Sequence, residues 1–460
     1  MCGISVVING NAHEAKIMGE AISHRGNETL HFSEQTLHVA YNWLRITDQT
    51  TPYNWFEYKG ISVWLNGYIS NYKELSEKYD IPLQTTCDTE LLTKFMHRFK
   101  GDRLDELNGF FAVVYYDGVS IKAFTDRYGI KQLYQYQHNQ TTYICSEIKG
   151  IKAIAHKMEL DPWAVADYRH SLGVMTKHTL YKGITRVRCL PFPRPDKIDI
   201  PYDQAKLRLS ELLTASITRN RTDLPCGVML SGGVDSGIIA KYLKPDYSFS
   251  MDYDTIAHSE TQNIKLNSQG IHYGMICNEA LLDKYLIPAI RCNDDPRVGS
   301  CYTNYALTEM ASNFCKVIYS GAGGDELFGG FPHRKNKPIK DIIKRTDHTA
   351  PLYRQITHDS YDWLFLKGVL TVEDRTSGAF TMETRYPLLD NDFVNFALSL
   401  PDDYLKDKRI LKDISGLSLS VLNSPKKGWS NPYITNAQWT TYTTQTGLTP
   451  MATLSTAPPL

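Results

Sequence analysis

Cys2 is the first residue of this chain that could do chemistry, standing in the start Met1-Cys2-Gly3-Ile4. A small second residue permits removal of the initiator methionine, which would leave a thiol and a free α-amine on one residue. An α-amine titrates near ~8 and a thiol near ~8.5, so near neutral pH the amine can take the thiol's proton without a histidine. A chance cysteine after Met is the plainer alternative. A second chemical string runs Ser231-Gly232-Gly233-Val234-Asp235-Ser236, between apolar Val228-Met229-Leu230 and helix-like Gly237-Ile238-Ile239-Ala240-Lys241-Tyr242. Two glycines let successive N–H groups converge, and a following helix N-terminus adds partial positive charge, so an anion such as pyrophosphate would sit there. Asp235 in an anion loop makes sense if the anion brings Mg²⁺, which needs a carboxylate oxygen. A strand-to-helix turn with no ligand is the alternative for the glycine pair by itself. The third string, Ser320-Gly321-Ala322-Gly323-Gly324-Asp325-Glu326-Leu327-Phe328-Gly329-Gly330, carries five glycines and a second carboxylate, Asp325. So many glycines disfavour a helix and suit close backbone approach.

These strings need elements to aim them. Ile4-Ser5-Val6-Val7-Ile8 reads as a buried strand that would anchor Cys2. Up to about residue 190, β-rich runs such as Ser62–Leu65, Phe111–Tyr116 and Thr142–Cys145 alternate with Asn, Asp and Gly turns, the pattern of layered β with some helices. Pro191-Phe192-Pro193-Arg194-Pro195 breaks regular structure and reads as a linker. Beyond it, helical stretches such as Asp203–Arg219 alternate with short apolar strands, Gly227–Leu230 and Lys316–Tyr319, the pattern of a parallel α/β sheet. Ligands of such sheets bind at the carboxyl ends of strands, so both glycine turns can face one crevice. The expected boundaries are 1–190, a linker over 191–205, 206–435, and a Thr-, Pro- and Ala-rich tail over 436–460.

Composition narrows the function. The chain has 460 residues, enough for two or three domains, and Lys+Arg balances Asp+Glu at 50 each, so no global field favours nucleic acid or an anionic membrane. Nine scattered cysteines without a C-x-x-C pair fit reduced thiols and a cytoplasmic setting. No signal-peptide pattern opens the chain, and no apolar run approaches membrane-spanning length.

The ordered motifs resemble the glutamine-hydrolysing asparagine synthetases, in which a class II glutamine amidotransferase domain precedes an ATP-pyrophosphatase domain. The resemblance rests on Met1–Ile4, His24-Arg25-Gly26, Arg45, Asn66-Gly67, Asp88-Thr89-Glu90, Asp126–Lys131 and Ser146–Lys149. It continues through both glycine strings, Glu383–Asp390, Lys408 and Lys426-Lys427-Gly428-Trp429. It implies an α+β N-terminal nucleophile (Ntn) sandwich followed by an α/β parallel-sheet domain of the adenine nucleotide alpha hydrolase kind. It also implies that Cys2 attacks glutamine, that Asn66 and the Gly67 N–H form the oxyanion hole, and that Arg45 and Asp88 hold the glutamine carboxylate and ammonium. Leu230, Ser231, Gly232, Gly233, Asp235, Ser236, Ser320, Gly321 and Lys408 would bind ATP and pyrophosphate, with Mg²⁺ on Asp235 and Asp325. Released ammonia would amidate a carboxylate activated as an acyl-adenylate, with aspartate giving asparagine. Partners would be small molecules only; a homodimer is compatible with the sequence.

This chain departs from the family at Ala322, where an acidic residue is usual. Alanine can neither bind an ammonium nor accept its proton, which favours, as the alternative, another carboxylate in a specialised or nucleotide-modification pathway. Glu326 and Glu309 are the nearby acids that could compensate. Tyr68 stands where an acid is usual after Asn66-Gly67, and Asn27-Glu28 and Gln132 also depart, as loop variation. A glutaminase or binding protein whose second domain has lost catalysis is the competing class, against which intact Asp235, Asp325 and Lys408 argue.

Overall fold

The computed structural model describes residues 1–48, 56–155, 157–165, 177–192, 195–254, 259–294, 301–330 and 360–425. Pro193 and Arg194 of the linker, the Lys426–Trp429 motif and the tail lie outside them.

The first half is built from two antiparallel sheets. One contains β1 (Gly3–Ile8), β2 (Glu28–Glu34), β3 (Leu37–Trp43), β8 (Tyr134–His138), β9 (Thr141–Cys145) and β10 (Thr185–Arg186), in the order β10-β8-β9-β1-β3-β2. The other contains β4 (Phe56–Tyr58), β5 (Ile61–Ile69), β6 (Gly109–Tyr116) and β7 (Ile121–Thr125), in sequence order. Strand alternation explains the layering. In β5, Trp64 and Tyr68 turn toward the first sheet, joining Cys2, Val6, Tyr41 and Phe110 in one core, while Val63 and Leu65 turn the other way to pack on Leu91, Leu92, Phe95 and Met96 of the Asp88–Phe99 helix. On the outer face of the first sheet, Val7 and Cys145 pack with Met18 and Ile22, and with Ile151 of the Ile148–Ile154 helix. The result is helix, sheet, sheet, helix, the expected Ntn-type sandwich, with the N-terminal strand central in its sheet.

No helix or strand occurs among the described residues from Val187 to Pro201; the Tyr202–Asn220 helix begins directly after Pro201, inside the stretch expected as linker. The second half is a five-stranded parallel sheet of β11 (Cys226–Met229), β12 (Tyr247–Tyr253), β13 (Ile271–Cys277), β14 (Val317–Tyr319) and β15 (Glu383–Arg385), in the order β13-β12-β11-β14-β15. Leu209, Leu213, Ile238 and Ile239 pack in one core with Val228 and Tyr319, and Leu307 and Ala311 pack in another with Phe249 and Ile318, so helices cover both faces. From β11 the chain first builds outward through β12 and β13, then returns to add β14 and β15 on the other side. Strand order therefore reverses between β11 and β14, the place where open parallel sheets hold ligands.

Candidate active site

β1 ends the chain inside the protein: Cys2 and Met1 are both buried. The Cys2 Sγ receives the Leu44 N–H at 3.5 Å and lies 3.9 Å from the Leu44 carbonyl. Tyr41, whose phenol adjoins the thiol, donates to the Leu65 carbonyl at 2.5 Å, tying Cys2 to β5. Burial pushes the Cys2 thiol up. The next residue, Asn66, shares the inward face of β5 with Trp64 and Tyr68, and neither its amide nitrogen nor its amide oxygen has a hydrogen-bond partner among the described residues. A fully buried amide costs free energy unless something bonds it, so it is suited to a charge that arrives with substrate. Gly67 follows at φ +110°, where any side chain would run into the Phe110 carbonyl.

Asp88 opens the Asp88–Phe99 helix and accepts the Ile69 N–H at 2.7 Å, two residues beyond Gly67. Burial pushes its carboxyl up to about 6, against that backbone bond. Arg45 stacks its guanidinium 3.8 Å from the Trp43 ring centre and lies 3.6 Å from Glu28, partly open to solvent. Asp48 takes the Thr86 N–H and hydroxyl, so the 44–48 segment runs beside the start of the Asp88 helix. The 44–48 segment thus runs from Cys2 past Arg45 to the start of the Asp88 helix, and bonds at Leu65 and Ile69 tie Tyr41 and Asp88 to β5 on either side of Asn66 and Gly67.

The second cluster forms at the β11/β14 reversal. In the Ser231–Ser236 loop, the Ser236 hydroxyl takes the Ser231 N–H at 3.1 Å and Gly232 has φ +81°. Gly233 caps the Val234–Leu243 helix. The other glycine turn packs directly on it: a side chain at Gly321 would strike the Asp235 and Ser236 backbone, and one at Gly324 the Asp235 carboxylate. The Ser320–Gly330 segment, read from its glycines as disfavouring a helix, nonetheless contains the short Gly324–Phe328 helix. Lys408 joins the two turns, its ammonium 2.7 Å from Asp325 and bonded also to Asp235. Burial works against that charge, but the two carboxylates overcome it and hold the lysine well above its ordinary range. Asp407 and Lys408 both adopt positive φ, +54° and +61°, a strained pair that delivers the ammonium to this point. Two carboxylates facing one cation are the oxygen donor set that Mg²⁺ takes, so Asp235 and Asp325 fit the expected metal.

Between the clusters lies a buried seam of charge. Glu147 takes Arg25 at 2.8 Å, Arg375 at 3.1 Å and His24 at 3.1 Å, and pairs with Lys149. Burial opposes its charge, yet Lys149, Arg375 and His24 hold its carboxyl well below the ordinary range. Asp374 takes Lys131 at 3.0 Å and Arg25 at 3.3 Å. Lys131 also donates to the Met1 sulfur at 2.7 Å, so the seam touches the Cys2 site. Arg25, Lys131, Glu147 and Lys149 stood in the sequence motifs without assigned roles; Asp374, Arg375 and Glu373 were missed, because no glycine turn or motif marks their helix. Of the two acids that could compensate for Ala322, Glu309 accepts the Tyr285 hydroxyl at 2.5 Å, while Glu326 is buried in the Gly324–Phe328 helix.

Residues 1–192 match the glutamine amidotransferase domain family, and residues 208–363 and 344–433 the asparagine synthase family. A Methanocaldococcus jannaschii protein named "Putative asparagine synthetase 2, glutamine-hydrolyzing" is 30% identical over 411 residues, covering 75% of this chain and 78% of that one. The Bos taurus glutamine-hydrolyzing asparagine synthetase is 25% identical over 481 residues, covering 89% and 80%. The Bacillus subtilis glutamine-hydrolyzing asparagine synthetase 1 is 28% identical over 373 residues, covering 72% and 59%. With both domains matched in order around the two clusters, the chain belongs to the glutamine-hydrolysing asparagine synthetase family of carbon–nitrogen ligases.

Proposed function

We propose that this enzyme activates the side-chain carboxylate of aspartate as an acyl-adenylate and amidates it with ammonia released by Cys2 from glutamine. The carrying observation is the meeting of the two glycine turns, with Lys408 held between Asp235 and Asp325 at the sheet's reversal point. After Met1 is removed, the Cys2 thiolate attacks the glutamine amide. Asn66 and the Gly67 N–H bond the developing oxyanion, while Arg45 and Asp88 hold the amino-acid end. One oxyanion donor is commonly worth ~2.7–4 kcal/mol at the transition state. Ammonia crosses inside the protein, since in water at neutral pH it is mostly protonated.

In the second site, Leu230, Ser231, Gly232, Gly233, Ser236, Ser320 and Gly321 cradle ATP phosphates. Lys408 leaves its two carboxylates to meet phosphate charge as pyrophosphate departs. Asp235 and Asp325 would hold Mg²⁺, which when bound neutralises phosphate charge. The partners are small molecules, and we place the reaction in the cytoplasm, where nine unpaired thiols persist. Ala322 favours the second reading, another carboxylate as acceptor.

The test is ATP–pyrophosphate exchange with aspartate, alongside amino-acid analysis for asparagine. Aspartate-dependent exchange with matching asparagine supports the proposal. Glutaminase activity with exchange only on another carboxylate, found in a substrate panel, replaces aspartate.

A further inference from the structure

The Ser360–Ala379 helix presents consecutive acids to the two sites: Asp374 faces Lys131 and Arg25 beside Met1, while Glu373 faces the synthetase turn. Glu373 is 7% exposed. Its Oε1 accepts the Ser320 hydroxyl at 3.1 Å, and the same Ser320 oxygen takes the Ala322 N–H at 3.2 Å, so one hydroxyl separates this carboxylate from Ala322. The other oxygen, Oε2, has no hydrogen-bond partner among the described residues. The Tyr386 hydroxyl, buried just after the neighbouring strand β15, bears on this carboxylate and on the Thr384 hydroxyl. Oε2 thus stands at the carboxyl end of a parallel sheet with the Tyr386 hydroxyl beside its carboxylate, an arrangement suited to a small polar guest.

We propose that Glu373 supplies the acid that the turn lacks at Ala322: its Oε2 receives the incoming ammonia and takes the proton shed as nitrogen attacks the activated carboxyl. This rests on the adenylation reading above. In the step, the nitrogen lone pair forms the C–N bond, one N–H proton passes to Oε2, and the C–O bond to AMP breaks with its electron pair leaving on the phosphate oxygen. The products are the amide, AMP and neutral Glu373. For that cycle the group must exchange a proton near neutrality, and burial pushes its carboxyl up to about 7, against the Ser320 and Tyr386 hydroxyls that favour the charged form.

The surrounding charges are otherwise engaged. Arg25, packed beside the helix, bonds Asp374 and Glu147. Arg375 and Asp294 pair with each other, Glu383 with Arg385, and Asp325 with Lys408. Glu326 is the remaining acid of the turn. Tyr386 is the titratable group that bears on the carboxylate itself.

The experiment compares wild type, E373Q and A322E/E373Q. With aspartate, E373Q should retain ATP–pyrophosphate exchange but form amide ~10²–10⁴-fold more slowly. A322E/E373Q, with an acid restored one hydroxyl away, should regain at least ~10-fold of that loss. Retained glutaminase activity shows that the variants fold. Amide formation by E373Q at the wild-type rate overturns the proposal. Absence of exchange in wild type refutes adenylation of aspartate instead, and Glu373 is then judged by an infrared titration that needs no acceptor. A protonated-carboxyl band present in wild type and lost in E373Q, whose midpoint falls on adding ammonium chloride and not potassium chloride, supports it. A missing band, or a midpoint indifferent to ammonium, overturns it.

Discussion

The α-amine of Met1 donates to the carbonyl of Met382 at 3.1 Å, joining the first residue of the chain to the approach of strand β15, 381 positions later. Met1 therefore occupies the space between the two sites, with its sulfur against Arg25 and Lys131. Burial pushes the Met1 amine down to about 5. Removing Met1 transfers the free amine to Cys2 and opens that space. Purified active protein should have an intact mass short by one methionine, and glutaminase activity should scale with the processed fraction. Cys2→Ala should bring glutaminase to background while ammonium chloride still supports amide formation.

Asn66→Ala removes an amide that no described residue bonds, so the described fold loses no hydrogen bond. Glutaminase kcat should fall ~10²–10³-fold with little change in KM, the signature of an interaction made in the transition state. Steady-state kinetics on glutamine checks this. A comparable rise in KM would mean that the amide binds ground-state substrate.

Lys408→Met leaves Asp235 and Asp325 facing each other without their shared ammonium. Amide formation should be lost and glutaminase kept. Mg²⁺ should then raise the melting temperature of the variant more than that of wild type, because the metal replaces the missing cation. Thermal melts with and without MgCl₂ decide it.

Glu373 should make stability fall as pH rises. Its folded carboxyl titrates at about 7 rather than 4.5, so the native state holds the proton more tightly and loses that advantage between pH 4.5 and 7. At ~1.4 kcal/mol for each pH unit, the cost above pH 7 is on the order of 3 kcal/mol. Glu373→Gln, uncharged throughout, should escape it. Denaturation midpoints of both proteins at pH 5 and pH 8 should converge at the lower pH and separate in favour of the variant at the higher.

Arg375→Met strips a buried partner from Glu147 and Asp294. Breaking one side of a buried pair commonly costs ~3–5 kcal/mol because the other charge stays behind. The variant should melt markedly lower and be cut faster by protease between the halves; an unchanged melt would mean that the remaining cations suffice.

The fold was readable where chemistry and periodicity coincide. The β-rich runs, the Pro-rich break and the strand–glycine–helix order of Val228–Tyr242 predict a layered β half followed by a parallel α/β half, whereas Asn66, Gly67, Arg45 and Asp88 were named only through the family resemblance. Glu373 was not readable, because a lone acid in a helical run carries no local signal; its meaning comes from strand β15 landing beside β14, a non-local pairing. Lys408 stood out only through the family resemblance, since a basic run looks like a solvated surface until the Asp407–Lys408 backbone turns it inward.

The charged seam also bears on modularity. Apolar surfaces tolerate approximate mates, whereas Glu147, Asp374, Arg25 and Arg375 each need a counterion at a set place. An amidotransferase half taken from a relative would bring its own arrangement of charges and leave some of these buried ions unmatched. Exchange of whole halves between such enzymes is therefore selected against at the boundary, and the two halves are bound to change together, one charge answering another.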